Sequence, residues 1–133
     1  VTTRFEKKGI QIVGMKMVRL DDKILAEHYA HLLNKPFYGR IKDSMQASPV
    51  VVMALKGIDV VNAVRKLAGV TNGREAQPGT IRGDYSMSVQ ENIVHAADSP
   101  EAAATELKRF FSEGEIFDYT SHLTPYFYAN DEL

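Results

Sequence analysis

Two β-branched runs, each followed by a helix-start signal, limit what this chain can fold into more than any other feature. Ile10 to Leu20 is rich in Ile, Val and Met with too few polar residues for an exposed strand, so it reads as a strand buried on both faces. Asp21-Asp22 then supplies caps for a helix, because a short carboxylate accepts from free N–H groups of the first turn. Leu25, Tyr29, Leu32 and Leu33 recur at i, i+4, i+7, i+8, which predicts one helix running until Pro36 ends it. A second short helix is expected around Ile41 and Met45. The run Val50-Val51-Val52-Met53-Ala54-Leu55 is introduced by Pro49 and closed by Gly57, and reads as another buried strand. Asp59 caps a helix with Val60, Val61, Val64, Leu67 and Ala68 on one stripe, and Gly69 ends it.

A third strand is expected at Asn92 to Ala97, an apolar run with His95 embedded in it. It stops at Ser99-Pro100, where serine can cap a helix and proline loses nothing in the first turn. The segment therefore reads as a buried strand delivering an imidazole to a helix N-terminus, a place where oriented N–H groups favour anions. Ala103, Leu107, Phe110 and Phe111 mark the buried side of the helix that follows. Thr3 to Gly9 looks like the last turns of a helix stopped by glycine. Val70 to Val89 is irregular, with turn chemistry at Thr71-Asn72-Gly73 and Gln77-Pro78-Gly79, and such a long loop in a compact domain is usually functional. Tyr119, Tyr126, Phe127 and Tyr128 make an aromatic tail expected to dock on the body or on a partner. Strands alternating with helices give an α/β sandwich around one sheet.

At 133 residues the chain fits one domain, 1–133, long enough to bury a core without staples. A net charge of −1 leaves no electrostatic footprint for nucleic acid. The absence of cysteine excludes disulfides, thiolate metal sites and cysteine nucleophiles, and fits a reducing, cytoplasmic setting. No apolar run approaches the length of a membrane span.

His95 carries the chemistry. A neutral ring nitrogen is available near neutral pH as a nucleophile or base. Glu106, within the following helix, can orient the ring. Arg82, in the glycine-flanked turn Gly79-Thr80-Ile81-Arg82-Gly83-Asp84, offers a guanidinium fork suited to phosphate. Arg65 adds a second cation and Thr71 a hydroxyl. Convergence of these groups on one histidine is the functional hypothesis. His28 and His31, spaced i, i+3, lack an evident third metal ligand and read as a solvated helix face. The Arg82-Gly83-Asp84 tripeptide matches an adhesion motif by coincidence.

Taken in order, these residues resemble nucleoside diphosphate kinases. The strongest match is Pro78-Gly79-Thr80-Ile81-Arg82-Gly83-Asp84-Tyr85 followed by Asn92-Ile93-Val94-His95-Ala96-Ala97-Asp98-Ser99-Pro100-Glu101. His28-Tyr29, Lys35-Pro36-Phe37-Tyr38, Ser48-Pro49-Val50-Val51 and Arg65 to Asn72 extend the likeness over essentially the whole chain. The resemblance implies a ferredoxin-like βαββαβ core with an antiparallel sheet. It also implies ping-pong transfer of a γ-phosphoryl group between nucleotides through a phosphohistidine, with Mg²⁺ arriving on the nucleotide rather than on protein ligands. Carried over, His95 is the nucleophile and Glu106 and Tyr29 hold its ring. Arg65, Thr71 and Arg82 bind phosphates, Asn92 reaches the sugar and phosphates, and the base lies between Phe37 and Val89. Nucleoside di- and triphosphates are the partners, together with other copies of the chain: hexamers built from dimers are typical, with tetramers in some bacteria.

Three departures from the family pattern stand out. The family's opening strand and its Lys-Pro-Asp element are not among these residues, so the sheet is expected to show an empty slot, with residues upstream omitted from the chain. Ala97 stands where serine is usual, which removes a hydroxyl near the nucleophile and predicts reduced turnover. Leu32 replaces a histidine often found in the first cap helix, and Gln90-Glu91 replaces a Gly-Arg pair. A rival reading is therefore a catalytically weakened nucleotide-binding or scaffold protein that keeps the fold. The bare α/β pattern alone would also suit a small-ligand-sensing module.

Overall fold

The computed structural model describes residues 1–133. Two strands, β1 (Gln11–Val18) and β2 (Val50–Lys56), pair antiparallel from Gln11↔Lys56 to Val18↔Val50, with a bulge between Ile12 and Gly14. Seven helices surround them: α1 (Thr2–Lys8), α2 (Asp22–His28), α3 (Tyr38–Gln46), α4 (Val60–Ala68), α5 (Ile81–Tyr85), α6 (Pro100–Phe110) and α7 (Thr124–Phe127). None is long and apolar enough to cross a membrane.

Alternation along β2 divides the core. Met53 and Leu55 face a cluster of Phe5, Ile10 and Ile81 that is completed by Val60, Ala63, Val64 and Leu67 of α4. Val52 and Ala54 face the other way, against Val13, Phe111 and the α6 residues Leu107 and Phe110. The result is the expected α/β sandwich with a small antiparallel sheet. Neither strand is buried on both faces: Met15 and Val51 are exposed and Met17 is 71% exposed, because α4 covers only one end of its face.

Local signals place most helix ends. Gly9 takes φ 87° at the end of α1, and the amide of Ile10 returns to the Phe5 carbonyl at 3.0 Å, joining two core residues across the cap. Asp21 accepts from the Ile24 amide at 2.8 Å and Ser99 from the Ala102 amide at 3.0 Å. Asp59 does sit at the start of α4, yet its carboxylate accepts from the Asn62 side chain, not from a backbone amide. The helix expected to reach Pro36 stops at His28. Tyr29 leaves helical geometry (φ −108°, ψ 32°), and the chain tightens into a 3₁₀ turn over Ala30–Leu32 that leaves Leu33 exposed. The loop after Gly69 contains α5, capped by the Thr80 hydroxyl accepting from the Gly83 amide at 2.9 Å.

The tail docks where the bulge frees backbone groups. Phe117 donates its amide to the Val13 carbonyl at 2.8 Å, and the Tyr119 hydroxyl donates to the Ile12 carbonyl at 2.6 Å. Gly14 permits this close approach, since a Cβ there would lie 2.9 Å from the Glu115 carbonyl oxygen and 3.2 Å from the Phe111 ring. Glu115 then ties the tail to β1 through Lys16 at 2.9 Å. The Ser112 amide, with Lys16 and the Ser112 hydroxyl, holds the Glu115 carboxyl down to about 2.

Gly14→Ala is expected to destabilise the fold by about 1–3 kcal/mol through overpacking against backbone, read by denaturant unfolding. Stability contributed by Glu115 is present above the ordinary carboxyl pKa and is lost as pH falls towards about 2. Glu115→Gln should therefore flatten the decline of melting temperature across that acid range; an unchanged slope would show that the carboxylate contributes nothing.

Candidate active site

The C-terminal end of α2, the middle of α6 and the segment from Asn92 to Ser99 meet at one edge of the sandwich. That segment is not the third strand expected from its apolar pattern. It pairs with neither strand of the sheet, which contains only β1 and β2. A strand needs a ladder partner, and the opening strand implied by the resemblance is not among these residues. Val94 alone turns into the core, against the cluster of Phe5, Ile10 and Ile81. Just before it the chain makes a three-residue turn, with the Val94 amide donating to the Asn92 carbonyl at 2.8 Å around Ile93 at φ 74°. A β-branched residue at positive φ is strained, and Val94, which closes the turn, takes the place in the core. His95, the residue after it, is 48% exposed, where burial was expected.

His95 presents Nε2 to Glu106 Oε1 at 3.0 Å. With a proton on Nε2 shared with the carboxylate, Nδ1 keeps its lone pair and is left without a protein partner. The second imidazole, His28, meets His95 edge to face at 4.7 Å between centroids. Its side chain is only 6% exposed, so it is no part of a solvated helix face, and His31 lies beyond the end of α2 on the exposed turn. Arg109 Nη1 lies 2.9 Å from His28 Nδ1, and since arginine can only donate, that nitrogen accepts. Burial, with His95 and Arg109 adding to it against the pull of Glu106, lowers the His28 pKa to about 4. Tyr29 makes its contact with His28, edge-on at 4.7 Å, rather than a hydrogen bond to His95; burial and then Glu106 raise its pKa.

Arg82 connects this histidine to the rest of the candidate set. From α5 its guanidinium donates to the carbonyls of Asn92 (3.2 Å), Gly69 (2.8 Å) and Val94 (2.6 Å). It thus pins the flanks of the His95 segment to the end of α4. Burial lowers its pKa, and the nearby Arg65 charge lowers it further, so two cations share this corner. Arg65 takes part in none of the ion pairs of the molecule. Asn92 donates to the Val89 carbonyl at 2.8 Å and to the Thr71 carbonyl at 3.4 Å, which draws Thr71 into the same corner. Phe37 and Val89 stay 38% and 45% exposed, with apolar surface open to a ligand. The Arg82-Gly83-Asp84 tripeptide is not displayed for adhesion. Arg82 is engaged as described, a Cβ on Gly83 would meet the Gln77 backbone, and Asp84 binds Arg4 and the Gly79 amide.

His28, His95 and Glu106 bring potential ligand atoms within 4.8 Å of one another. Two imidazoles and one carboxylate make a poor set for Mg²⁺, which prefers oxygen donors and commonly reaches proteins through substrate phosphates. His28 and Arg109 were missed as site residues. Their signals were spacing alone: His28 lies three residues after the buried Leu25, and Arg109 three residues after Glu106.

Comparison with known proteins gives the family. A sequence model of the family described as nucleoside diphosphate kinase matches residues 1–116. The chain is 64% identical over 133 residues to a nucleoside diphosphate kinase of Parabacteroides distasonis, covering all of this chain and 87% of that protein. It is 46% identical over 132 residues to one from Rhodopirellula baltica, covering 99% of this chain and 87% of the relative. Its fold is similar to that of a halophilic nucleoside diphosphate kinase from Halobacterium salinarum in complex with CDP. There the TM-score is 0.92 at 36% identity, over 96% of this chain and 85% of the other. Relatives this similar bear the enzyme's name, so the scaffold reading is not favoured. With an imidazole held by a carboxylate beside paired arginines, and with these relatives, the chain belongs to the nucleoside diphosphate kinase family of phosphotransferases.

Proposed function

We propose that the chain moves a γ-phosphoryl group from a nucleoside triphosphate to a nucleoside diphosphate in two half-reactions, with His95 as the carrier. The observation that carries this reading is the 3.0 Å contact between His95 Nε2 and Glu106, which leaves Nδ1 unpaired on a half-exposed ring. In the first half-reaction the Nδ1 lone pair forms a bond to the γ-phosphorus. The bond from phosphorus to the β,γ-bridging oxygen breaks, and the departing diphosphate takes its electron pair. Nδ1 carries no proton to lose, and Glu106 offsets the positive charge that develops on the ring. In the second half-reaction a β-phosphate oxygen of another diphosphate attacks, and the N–P electron pair returns to Nδ1. Such transfers need in-line positioning and charge neutralisation more than covalent help.

Arg65 and Arg82 supply the neutralisation, with Thr71 and Asn92 as polar contacts to phosphate and sugar. Three N–H groups of Arg82 are committed to backbone carbonyls, so its phosphate contact uses the two that remain. Mg²⁺ bound to the phosphates would screen their charge. Phe37 and Val89 sandwich the base, and stacking without edge hydrogen bonds suits every nucleobase. The CDP complex of the Halobacterium salinarum relative supports a nucleotide site. Exposed apolar residues, among them Met17, Tyr85 and Met87, support self-association into a hexamer or tetramer. The cytoplasm, where nucleotides and reduced thiols prevail, is the proposed location.

Incubation with γ-labelled ATP tests the carrier. An acid-labile, base-stable phosphoprotein should form and should discharge on addition of a diphosphate, whereas His95→Ala should not label; equal labelling of the variant would overturn the reading. Ala97→Ser restores a hydroxyl two residues from the carrier. It should raise kcat by about fivefold, equivalent to one hydrogen bond of ~1 kcal/mol made in the transition state, with nucleotide affinity unchanged. An unchanged kcat would remove any role for the hydroxyl.

A further inference from the structure

We propose that Arg109 is a positioning residue for phosphoryl acceptance, acting through the buried His28 ring to keep Glu106 committed to His95. The inference rests on the reading of His95 as the carrier. Glu106 Oε1 lies between two imidazoles, 3.0 Å from Nε2 of His95 and 3.9 Å from Nδ1 of His28. The two rings therefore compete for one carboxylate oxygen. A second proton, added at Nδ1 while Nε2 keeps its own, would make the His28 ring a cation facing Glu106, and the carboxylate would be drawn from the carrier to the buried charge. Arg109 closes that route. Its Nη1 donates to His28 Nδ1 at 2.9 Å, so the nitrogen nearest Glu106 is occupied as an acceptor and the ring proton resides on Nε2.

The surroundings of His28 act in the same direction. His95 faces it from the segment before α6 and Arg109 from α6, and the more distant charge of His31 acts from the turn after α2; each of these disfavours a cationic ring, and only Glu106 favours one. Tyr29 and Phe110 close its edges at 4.7 Å and 5.4 Å between centroids, which excludes the water that would otherwise solvate a charge. The neutral ring then serves as a rigid wall against which His95 stands edge to face. A carrier turned away from the γ-phosphorus loses rate without losing nucleotide affinity, because Arg109 and His28 lie behind the imidazole and not among the phosphate-binding groups.

The test uses the whole chain with Arg109→Met, which keeps length without the donor, and Arg109→Lys, which keeps the charge and a donor. Single-turnover phosphorylation by γ-labelled ATP, steady-state kcat and KM, and melting temperature are followed from pH 5 to 9. For Arg109→Met the phosphorylation rate and kcat should fall on the order of tenfold, with KM held within about twofold. The acid limb of its profile should move to higher pH, because loss of the cation and the donor lets His28 protonate nearer its ordinary pKa. Arg109→Lys should recover most of the rate and the original limb. A wild-type rate and profile in Arg109→Met overturns the inference. So does a pH-independent loss shared equally by both variants with a lowered melting temperature, which is packing alone. Nitrogen NMR of the unmodified chain gives a check that needs no variant: His28 should remain a neutral Nε2–H ring from pH 8 to pH 5, and titration near 6.5 overturns the proposal. Labelling that survives His95→Ala would instead overturn the carrier reading itself.

Discussion

The half-buried guanidinium of Arg82 is the contact on which the site depends. Its donors reach carbonyls at the end of α4 and on both sides of Ile93, so one side chain sets the spacing between a helix terminus and the segment that presents His95. For a segment lacking any strand partner, that brace replaces part of the missing ladder, beside the packing of Val94 and the hydrogen bonds of Asn92. The same brace stabilises the positive φ at Ile93, since the carbonyl of Asn92 is held by Arg82 as well as by Val94. Folding energy and site geometry are thus carried by the same group.

Electrostatic order around His95, the proposed carrier, follows from unequal burial. His28 and His95 are 4.7 Å apart, yet one is almost fully enclosed and the other half open to water. Enclosure keeps His28 neutral and removes it from competition for protons near neutral pH. Glu106 can then bond the open ring, whose second nitrogen has no protein partner. Two histidines of identical intrinsic chemistry acquire different roles because α6 covers one and leaves the other uncovered.

Much of the framework was legible in the chain. The caps at Asp21 and Ser99, the glycine stops at Gly9 and Gly69, and the stripe on α4 all appear where spacing placed them. The pairing of His95 with Glu106 was also legible, because both lie close in sequence around a helix start. The misreadings share one cause. Apolar content at Asn92–Ala97 looked like a strand, and the stripe through Leu32 and Leu33 looked like a continued helix, but pattern records only what a segment can bury. His28 looked solvated because nothing within its own helix announces that α6 will cover it.

The chain by itself determined the local features: helix starts and stops and the two β-branched strands. Each depends on contacts within a few residues, which sequence spacing encodes directly. Tertiary structure alone decided that Arg82 would brace backbone carbonyls 10 to 13 residues away, that Arg109 would reach His28 across 81 residues, and that His95 would stand out of the core. Those outcomes depend on which surfaces remain after helices have packed on the sheet, and burial, unlike spacing, is a property of the whole fold.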